Sequence, residues 1–228
     1  MKKYAVIVAG GSGLRMKTGV PKQYLTLRDK PVLWYTLTTF LDSYDDLKII
    51  LVLHRDYVEK GLVIAQNTHL PKRIWITEGG ETRFHSVQNG LKQVQQHSVV
   101  FVHDAVRCLI TGELIHRCYE ETLKNGNAVP AVAAVDTIRI ESALGNEQVD
   151  RNRVRIIQTP QTFYSDMIKA AFEQDYDDAF TDEASVVERL GVKINLVEGD
   201  YSNIKITKPV DLLIAEKILE ERSLNHNR

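Results

Sequence analysis

Three runs in this chain are apolar almost without interruption: Tyr4–Ala9 (YAVIVA), Lys48–Leu53 (KIILVL) and Val99–His103 (VVFVH). Side chains alternate between the two faces of a strand, so a continuous apolar run has no face to offer water. Such strands belong inside a sheet that is covered on both sides. Between these runs lie stretches with helical spacing. In Val32–Leu41, Leu33, Leu37, Phe40 and Leu41 fall at i, i+4, i+7 and i+8. Thr82–Gln95 and Glu113–Leu123 read as further helices, and Arg73–Thr77 and Ala128–Val135 as further strands. This alternation predicts an α/β fold with a mainly parallel sheet and helices on both faces. Ligands of such sheets bind at the carboxyl ends of the strands.

The 228 residues suit one domain spanning 1–228, and 43 % hydrophobic residues are enough to build its core. A formal net charge of −1 gives no reason to expect binding to nucleic acid or to an anionic membrane, and no basic stripe with interleaved aromatics appears. Cys108 and Cys118 match no zinc or redox spacing and are expected in or near the core. The first apolar run ends at a glycine turn after six residues, which reads as a buried strand and not a signal peptide. No segment approaches the roughly 20 apolar residues needed to span a bilayer, so a soluble, cytoplasmic protein is expected.

One segment breaks the rhythm. Thr137–Ile157 is polar on both sides, with two alternating stretches flanking Leu144-Gly145-Asn146. It predicts a hairpin, either a projecting arm used for dimer contact or an exposed loop. A loop with Thr159-Pro160-Gln161 follows, then helices over Tyr164–Gln174 and Asp182–Leu190 and a strand over Val192–Val197. Thr207 is expected to cap a last helix with Val210, Leu213, Ile214 and Ile218 as its apolar stripe.

The residues suited to chemistry sit at strand ends. After the first strand comes Gly10-Gly11-Ser12-Gly13-Leu14-Arg15-Met16. Its glycines let backbone N–H groups approach phosphate oxygens. Met16 stands where the dinucleotide fingerprint needs glycine, and no Gly-Lys-Ser/Thr of a P-loop is present. Arg15, with Lys22 in Pro21-Lys22-Gln23, adds a fork and a point charge able to grip a triphosphate. Gly79-Gly80-Glu81-Thr82-Arg83 precedes a helix with Ser86, and reads either as a base contact or as an ordinary helix start. His103-Asp104-Ala105-Val106-Arg107 closes a buried strand. Asp104 can hold Mg²⁺ against phosphates or cap a helix, Arg107 can hold an anionic substrate, and His103 is expected to be packed and not a base. In Asn203-Ile204-Lys205-Ile206-Thr207, Lys205 shares a face with Asn203 and Thr207, as an exposed charge or a second phosphate clamp. Thr181-Asp182 reads as an N-cap pair or a substrate contact. No nucleophile elbow or Cys/His metal cluster occurs.

Taken in order, AGGSGLRM…PKQYL, GGETRFHSV, HDAVR, VDTI, QTPQTF, TDEASVVE and NIKIT-x-P-x-D resemble the 2-C-methyl-D-erythritol 4-phosphate cytidylyltransferase family over nearly the whole chain. The resemblance implies a Rossmann-like sheet, a projecting β-arm over about 137–157, a homodimer, CTP as co-substrate and Mg²⁺ or another divalent cation. It places Arg15, Lys22 and Lys205 as triphosphate and transition-state clamps. It places Ala9, Gly10, Gly11, Gly13, Gly80, Glu81 and Ser86 at the nucleotide, and Asp104 at the metal. Arg107, Thr137, Arg151, Thr159 and Thr181 fall around the sugar-alcohol phosphate, some of them supplied across the dimer. Gly10 stands where the family more often has Ala, and Val106 and Cys108 replace Ala and Pro of an HDAARP-like motif. Gly10 and Val106 also occur in the ribitol-5-phosphate cytidylyltransferases, which makes ribitol 5-phosphate the alternative substrate. A nucleotide-binding regulator without catalysis and a bare scaffold are the non-enzyme alternatives. Retention of Arg15, Lys22, Asp104 and Lys205 together argues against both.

Overall fold

The structure, a computed structural model, describes residues 1–10, 20–143 and 145–226. The chain runs through β1 (Lys2–Ala9), β2 (Thr26–Leu27), β3 (Lys30–Pro31), α1 (Val32–Ser43), β4 (Leu47–Leu53), α2 (Val58–Gln66), β5 (Ile74–Glu78), α3 (Arg83–Leu91) and β6 (Ser98–Asp104). It continues with α4 (Gly112–Asn125), β7 (Asn127–Ala133), β8 (Ile138–Ser142), β9 (Gly145–Val149), β10 (Arg155–Ile157), β11 (Gln161–Tyr164), α5 (Ser165–Ala171), α6 (Glu183–Glu188), β12 (Leu196–Glu198) and α7 (Pro209–His226). The central sheet has the order β10-β7-β11-β6-β1-β4-β5, with β12 also on β7. β1, β4, β5 and β6 pair in parallel; β11 runs antiparallel to both β6 and β7, and β10 antiparallel to β7. This is the expected mainly parallel, Rossmann-like sheet.

The continuous apolar runs are explained by burial on both faces. Ala5, Ile7 and Ala9 of β1 join Leu33, Leu37, Phe40 and Leu41 of α1 and Leu114, Ile115 and Cys118 of α4. Tyr4 and Val6, pointing the other way, join Phe84, Val87 and Leu91 of α3 with residues of α5 and α6. Both cysteines are buried, and burial pushes each thiol up to about 12. Among the described residues no helix is long and apolar enough to cross a membrane.

Several boundaries differ from the sequence reading. α3 stops at Leu91 because Gln93 and Val94 donate instead to Gly90 and Leu91 in tighter turns. α5 and α6 are shorter than expected at both ends. β12 keeps only the end of Val192–Val197, because the Asn127 side chain takes the place of a strand partner, donating to Lys193 O at 3.0 Å and accepting from Asn195 N at 2.8 Å. Thr207 does not cap α7. The Asp211 carboxylate accepts from Thr207 N, Thr207 Oγ1 and Lys208 N at 2.7, 2.9 and 2.7 Å.

The expected stripe of α7 is also turned. Val210, Leu213 and Ile214 are exposed, while Ala215 is fully buried and Leu212, Ile218 and Leu219 pack beside it. Arg222 fixes this rotation by donating to Leu109 O at 2.8 Å and Ser202 Oγ at 2.7 Å.

The arm is a separate two-stranded sheet, β8 with β9, whose register pairs Ile138 with Val149 and Ser142 with Gly145. Gly145 is therefore already paired in β9, where the sequence reading had put it in the turn. The end of the segment, Arg155–Ile157, belongs to the main sheet as β10, because Ile156 and Ile157 find partners in Val132 and Ala131.

Candidate active site

The parallel strands end together, and their carboxyl ends ring a cavity of about 740 Å³. Of the residues singled out from sequence, Ala9, Gly10, Lys22, Gly80, Glu81, Ser86, Asp104 and Lys205 line it. Gly11, Gly13 and Arg15 lie outside the described residues. His54, at the end of β4, and Arg83 line the cavity without having been singled out.

Each wall has a local cause. Gln23 is buried, and its Nε2 donates to Ala9 O at 2.7 Å, which ties the short turn carrying Lys22 to the end of β1. On the opposite side the Ser86 hydroxyl accepts from Gly80 N at 3.1 Å and donates to Thr82 O at 2.9 Å. That hydroxyl draws the glycine loop onto the start of α3. A Cβ on Gly80 would stand 2.4 Å from His85 Cβ, so only glycine fits there. A Cβ on Gly10 would stand 3.2 Å from Ser86 Oγ, so alanine at this position requires Ser86 to give by a few tenths of an ångström.

Asp104 is the electrostatic centre. Its Oδ2 meets Lys205 Nζ at 2.8 Å and stands 3.9 Å from Arg107 Nε. Its Oδ1 accepts from Arg83 Nη2 at 3.2 Å and Nε at 3.3 Å. Arg83 also donates to the fully buried Glu183. Burial raises the Asp104 carboxyl, but Arg83, Lys205 and Arg107 outweigh it and hold the group well below the usual carboxylate range. Three cations thus surround two carboxylates, and the cluster is suited to anions before Lys22 is added.

Below the cavity the motifs interlock. Asp104 N donates to Thr159 Oγ1 at 3.1 Å, and the Thr159 hydroxyl donates to His103 Nδ1 at 2.9 Å. His103 Nε2–H donates to Arg107 O at 3.2 Å. Burial drives the His103 pKa down to about 3, so the ring is neutral, and it is a packed residue as expected. Asn203 Nδ2 donates to Thr159 O at 2.9 Å, and Arg107 Nη1 donates to Asn203 O at 2.8 Å. Asn203 is therefore buried, not turned to the cavity beside Lys205 as the alternation suggested.

Of the residues assigned to the second substrate, none lines the cavity. Thr159 and Arg107 lie beneath it, engaged as described. Thr181 is exposed next to Asp182, which caps α6 in a reciprocal pair with Ser185. Thr137 and Arg151 are exposed at the base of the arm, where Arg151 Nη1 donates to Val135 O at 2.9 Å.

Comparison with known proteins points to one family. The profile of the IspD family, 2-C-methyl-D-erythritol 4-phosphate cytidylyltransferase, matches residues 4–221. A 2-C-methyl-D-erythritol 4-phosphate cytidylyltransferase of Bacteroides thetaiotaomicron is 44 % identical over 219 residues, covering 96 % of this chain and all of that one. The crystal structure of 4-diphosphocytidyl-2C-methyl-D-erythritol synthase from Anaerococcus prevotii superposes with a TM-score of 0.82 at 30 % identity, over 96 % of each chain. The Francisella tularensis IspD structure gives 0.79 at 31 % identity, covering 95 % of this chain and 99 % of that one. With the glycine-walled cavity, the Asp104–Lys205 cluster and matches that run nearly end to end, this chain belongs to the IspD family of cytidylyltransferases.

Proposed function

We propose that this chain transfers the cytidylyl group of CTP to 2-C-methyl-D-erythritol 4-phosphate, releasing pyrophosphate, in the non-mevalonate isoprenoid route. One observation carries the reading: Lys22, Lys205 and Asp104 share one cavity with a glycine-walled loop suited to a nucleoside. The relatives carry the methylerythritol name, which favours that alcohol over ribitol.

The chemistry needs no protein nucleophile. A phosphate oxygen of the second substrate attacks the α-phosphorus of CTP in line, the bond to the β-phosphate oxygen breaks, and pyrophosphate leaves with that electron pair. A phosphate is already ionised near neutral pH, so no general base is needed, in keeping with a His103 whose ring nitrogens are both engaged. Negative charge grows on the equatorial and leaving oxygens. Lys22 and Lys205 stabilise it, joined in our reading by Arg15. Among the described residues that line the cavity, Asp104 is the carboxylate with an oxygen, Oδ2, against Lys205. A single carboxylate with phosphates and water completing the shell is a suitable donor set for Mg²⁺, and Asp104 fits that role. When bound, the ion supplies charge neutralisation on the triphosphate.

We further propose one catalytic domain per copy and a homodimer in which the arm reaches a second copy. A bare two-stranded hairpin is marginal in water, and Val135, Ile140 and Ile156 are left 66, 53 and 51 % exposed. Docking the arm on a second copy covers them and carries Thr137 and Arg151 to that copy's cavity. Mixing Arg151→Ala with Lys22→Ala protein, with subunit exchange shown separately, is then expected to restore activity above either parent. No gain despite exchange contradicts the shared site.

The activity itself is tested by pyrophosphate release from CTP and Mg²⁺ with each alcohol phosphate. Release is expected with methylerythritol phosphate and to be far slower with ribitol phosphate. The reverse order transfers the assignment to ribitol, and release with neither rejects it.

A further inference from the structure

We propose that Arg83 is a positioning residue for the reaction: it grips Asp104 by Oδ1 alone and so keeps Oδ2 turned toward Lys205 and the phosphates. This rests on the reading of Asp104 given above.

A carboxylate turns easily about its terminal torsion, because that well is broad and two-fold. Two donors on one oxygen remove this freedom. Arg83 Nε and Nη2 both reach Asp104 Oδ1, at 3.3 and 3.2 Å. The other side of the same guanidinium is anchored on Glu183, with Nη1 to Oε1 at 2.5 Å and Nη2 to Oε2 at 3.1 Å. Glu183 is fully buried, so it has no alternative partner in solvent. A lysine has no fork with which to serve two carboxylates at once.

The position of Arg83 supports the same reading. It is the first residue of α3, where a cation opposes the helix dipole. Two carboxylates offset that cost. The clamp joins the start of α3, the end of β6 and the start of α6, which are respectively the glycine-loop, Asp104 and Thr181 sides of the site.

The two oxygens of Asp104 are held unequally. Oδ1 lies in the Arg83–Glu183 assembly, whereas Oδ2 has Lys205, whose side chain is 43 % exposed and held by that ion pair. Lys205 is the partner that can yield Oδ2 and turn to phosphate while Arg83 stays in place.

Three variants test this: R83K, E183Q and D104N. Groups that orient a ligand carboxylate cost about 10–100-fold in metal affinity or activity when changed. R83K is therefore expected to lower kcat at least about tenfold, with KM for CTP within about threefold, since the glycine-loop contacts are untouched. Mn²⁺ binding in the presence of CTP, read by electron paramagnetic resonance of the free ion, is expected to weaken by about tenfold. E183Q keeps an acceptor for Nη1 and leaves the Asp104 side intact. It is expected to lower the melting temperature while both readouts stay within about threefold. D104N is expected to lose both. Wild-type kcat and Mn²⁺ affinity in R83K, beside losses in D104N, overturn the clamp and leave the Asp104 reading standing. Equal kcat losses in R83K and E183Q make Arg83 a fold tie only and also overturn the clamp. Wild-type behaviour of D104N overturns the Asp104 reading itself. If R83K does not fold, the neutral pair R83Q/E183Q takes its place with the same expectations.

Discussion

Lys205→Ala protein is expected to fold normally and to turn over about a hundredfold more slowly, a loss of about 3 kcal/mol in transition-state stabilisation. Folding is spared because the Lys205 side chain is 43 % exposed and Asp104 keeps Arg83 as its partner. Turnover is not spared, because Lys205 is the cation at the carboxylate expected to face the triphosphate and can turn from it to phosphate. Charge that grows only in the transition state makes such a cation matter more to kcat than to binding. Lys22→Ala is expected to lose a similar factor from the other side of the cavity. Circular dichroism and thermal melting establish the fold, and steady-state kinetics the loss. Near-normal kcat in both variants contradicts the clamp assignment.

The second large effect is on stability in acid. His103 has a pKa of about 3 in the folded protein because it is fully buried, against about 6.5 in an unfolded chain. The folded pKa is depressed, so between these values the unfolded chain takes up a proton that the folded one refuses. Stability contributed by the neutral ring is complete above about pH 6.5 and is lost as pH falls toward 3, at about 1.4 kcal/mol per unit. From pH 6 to pH 4 the loss is about 3 kcal/mol, a large share of the stability of a typical domain. Asp104 acts in the same direction lower down, because its folded carboxyl stays ionised where the unfolded one is protonated. His103→Gln retains one donor for Arg107 O and one acceptor for the Thr159 hydroxyl. Its urea midpoint is expected to be nearly flat from pH 6.5 to 4.5, while that of the parent falls. Parallel slopes in the two proteins assign the acid limb to another group.

How much of this was legible in the sequence depends on whether each feature is local. The parallel sheet was legible because YAVIVA, KIILVL and VVFVH have no polar face. The arm was legible for the opposite reason, since it has almost nothing to bury. α7 misled: its most apolar stripe faces out, and the inward face is set by Arg222 and the small Ala215, whose partners lie far along the chain. The carboxyl ends of β1, β4 and β6 were placed correctly, whereas those expected at Thr77 and Val135 fall at Glu78 and Ala133, and Lys205 proved to face Asp104 from 101 residues away. Asn203 was misplaced because its partners, Thr159 and Arg107, are set by tertiary packing and not by alternation. Arg83 stood within a quoted motif yet was given no role, because its partner Glu183 lies 100 residues on. A signal was available: an arginine at the first position of a helix opposes the dipole and calls for a carboxylate. His54 carried no such mark, as one histidine after an apolar strand has no distinguishing pattern.

This cavity is expected to move the α-phosphorus of CTP, with its cytidine, onto an alcohol phosphate. The direct measurement is to supply CTP labelled with ³²P at the α-phosphate, or separately at the γ-phosphate, together with methylerythritol phosphate and Mg²⁺. The α-label is predicted in the cytidylylated alcohol and the γ-label in pyrophosphate, with both transfers nearly abolished in Lys22→Ala. An α-label that stays in CTP, or that leaves as CMP with the alcohol phosphate unchanged, contradicts the account.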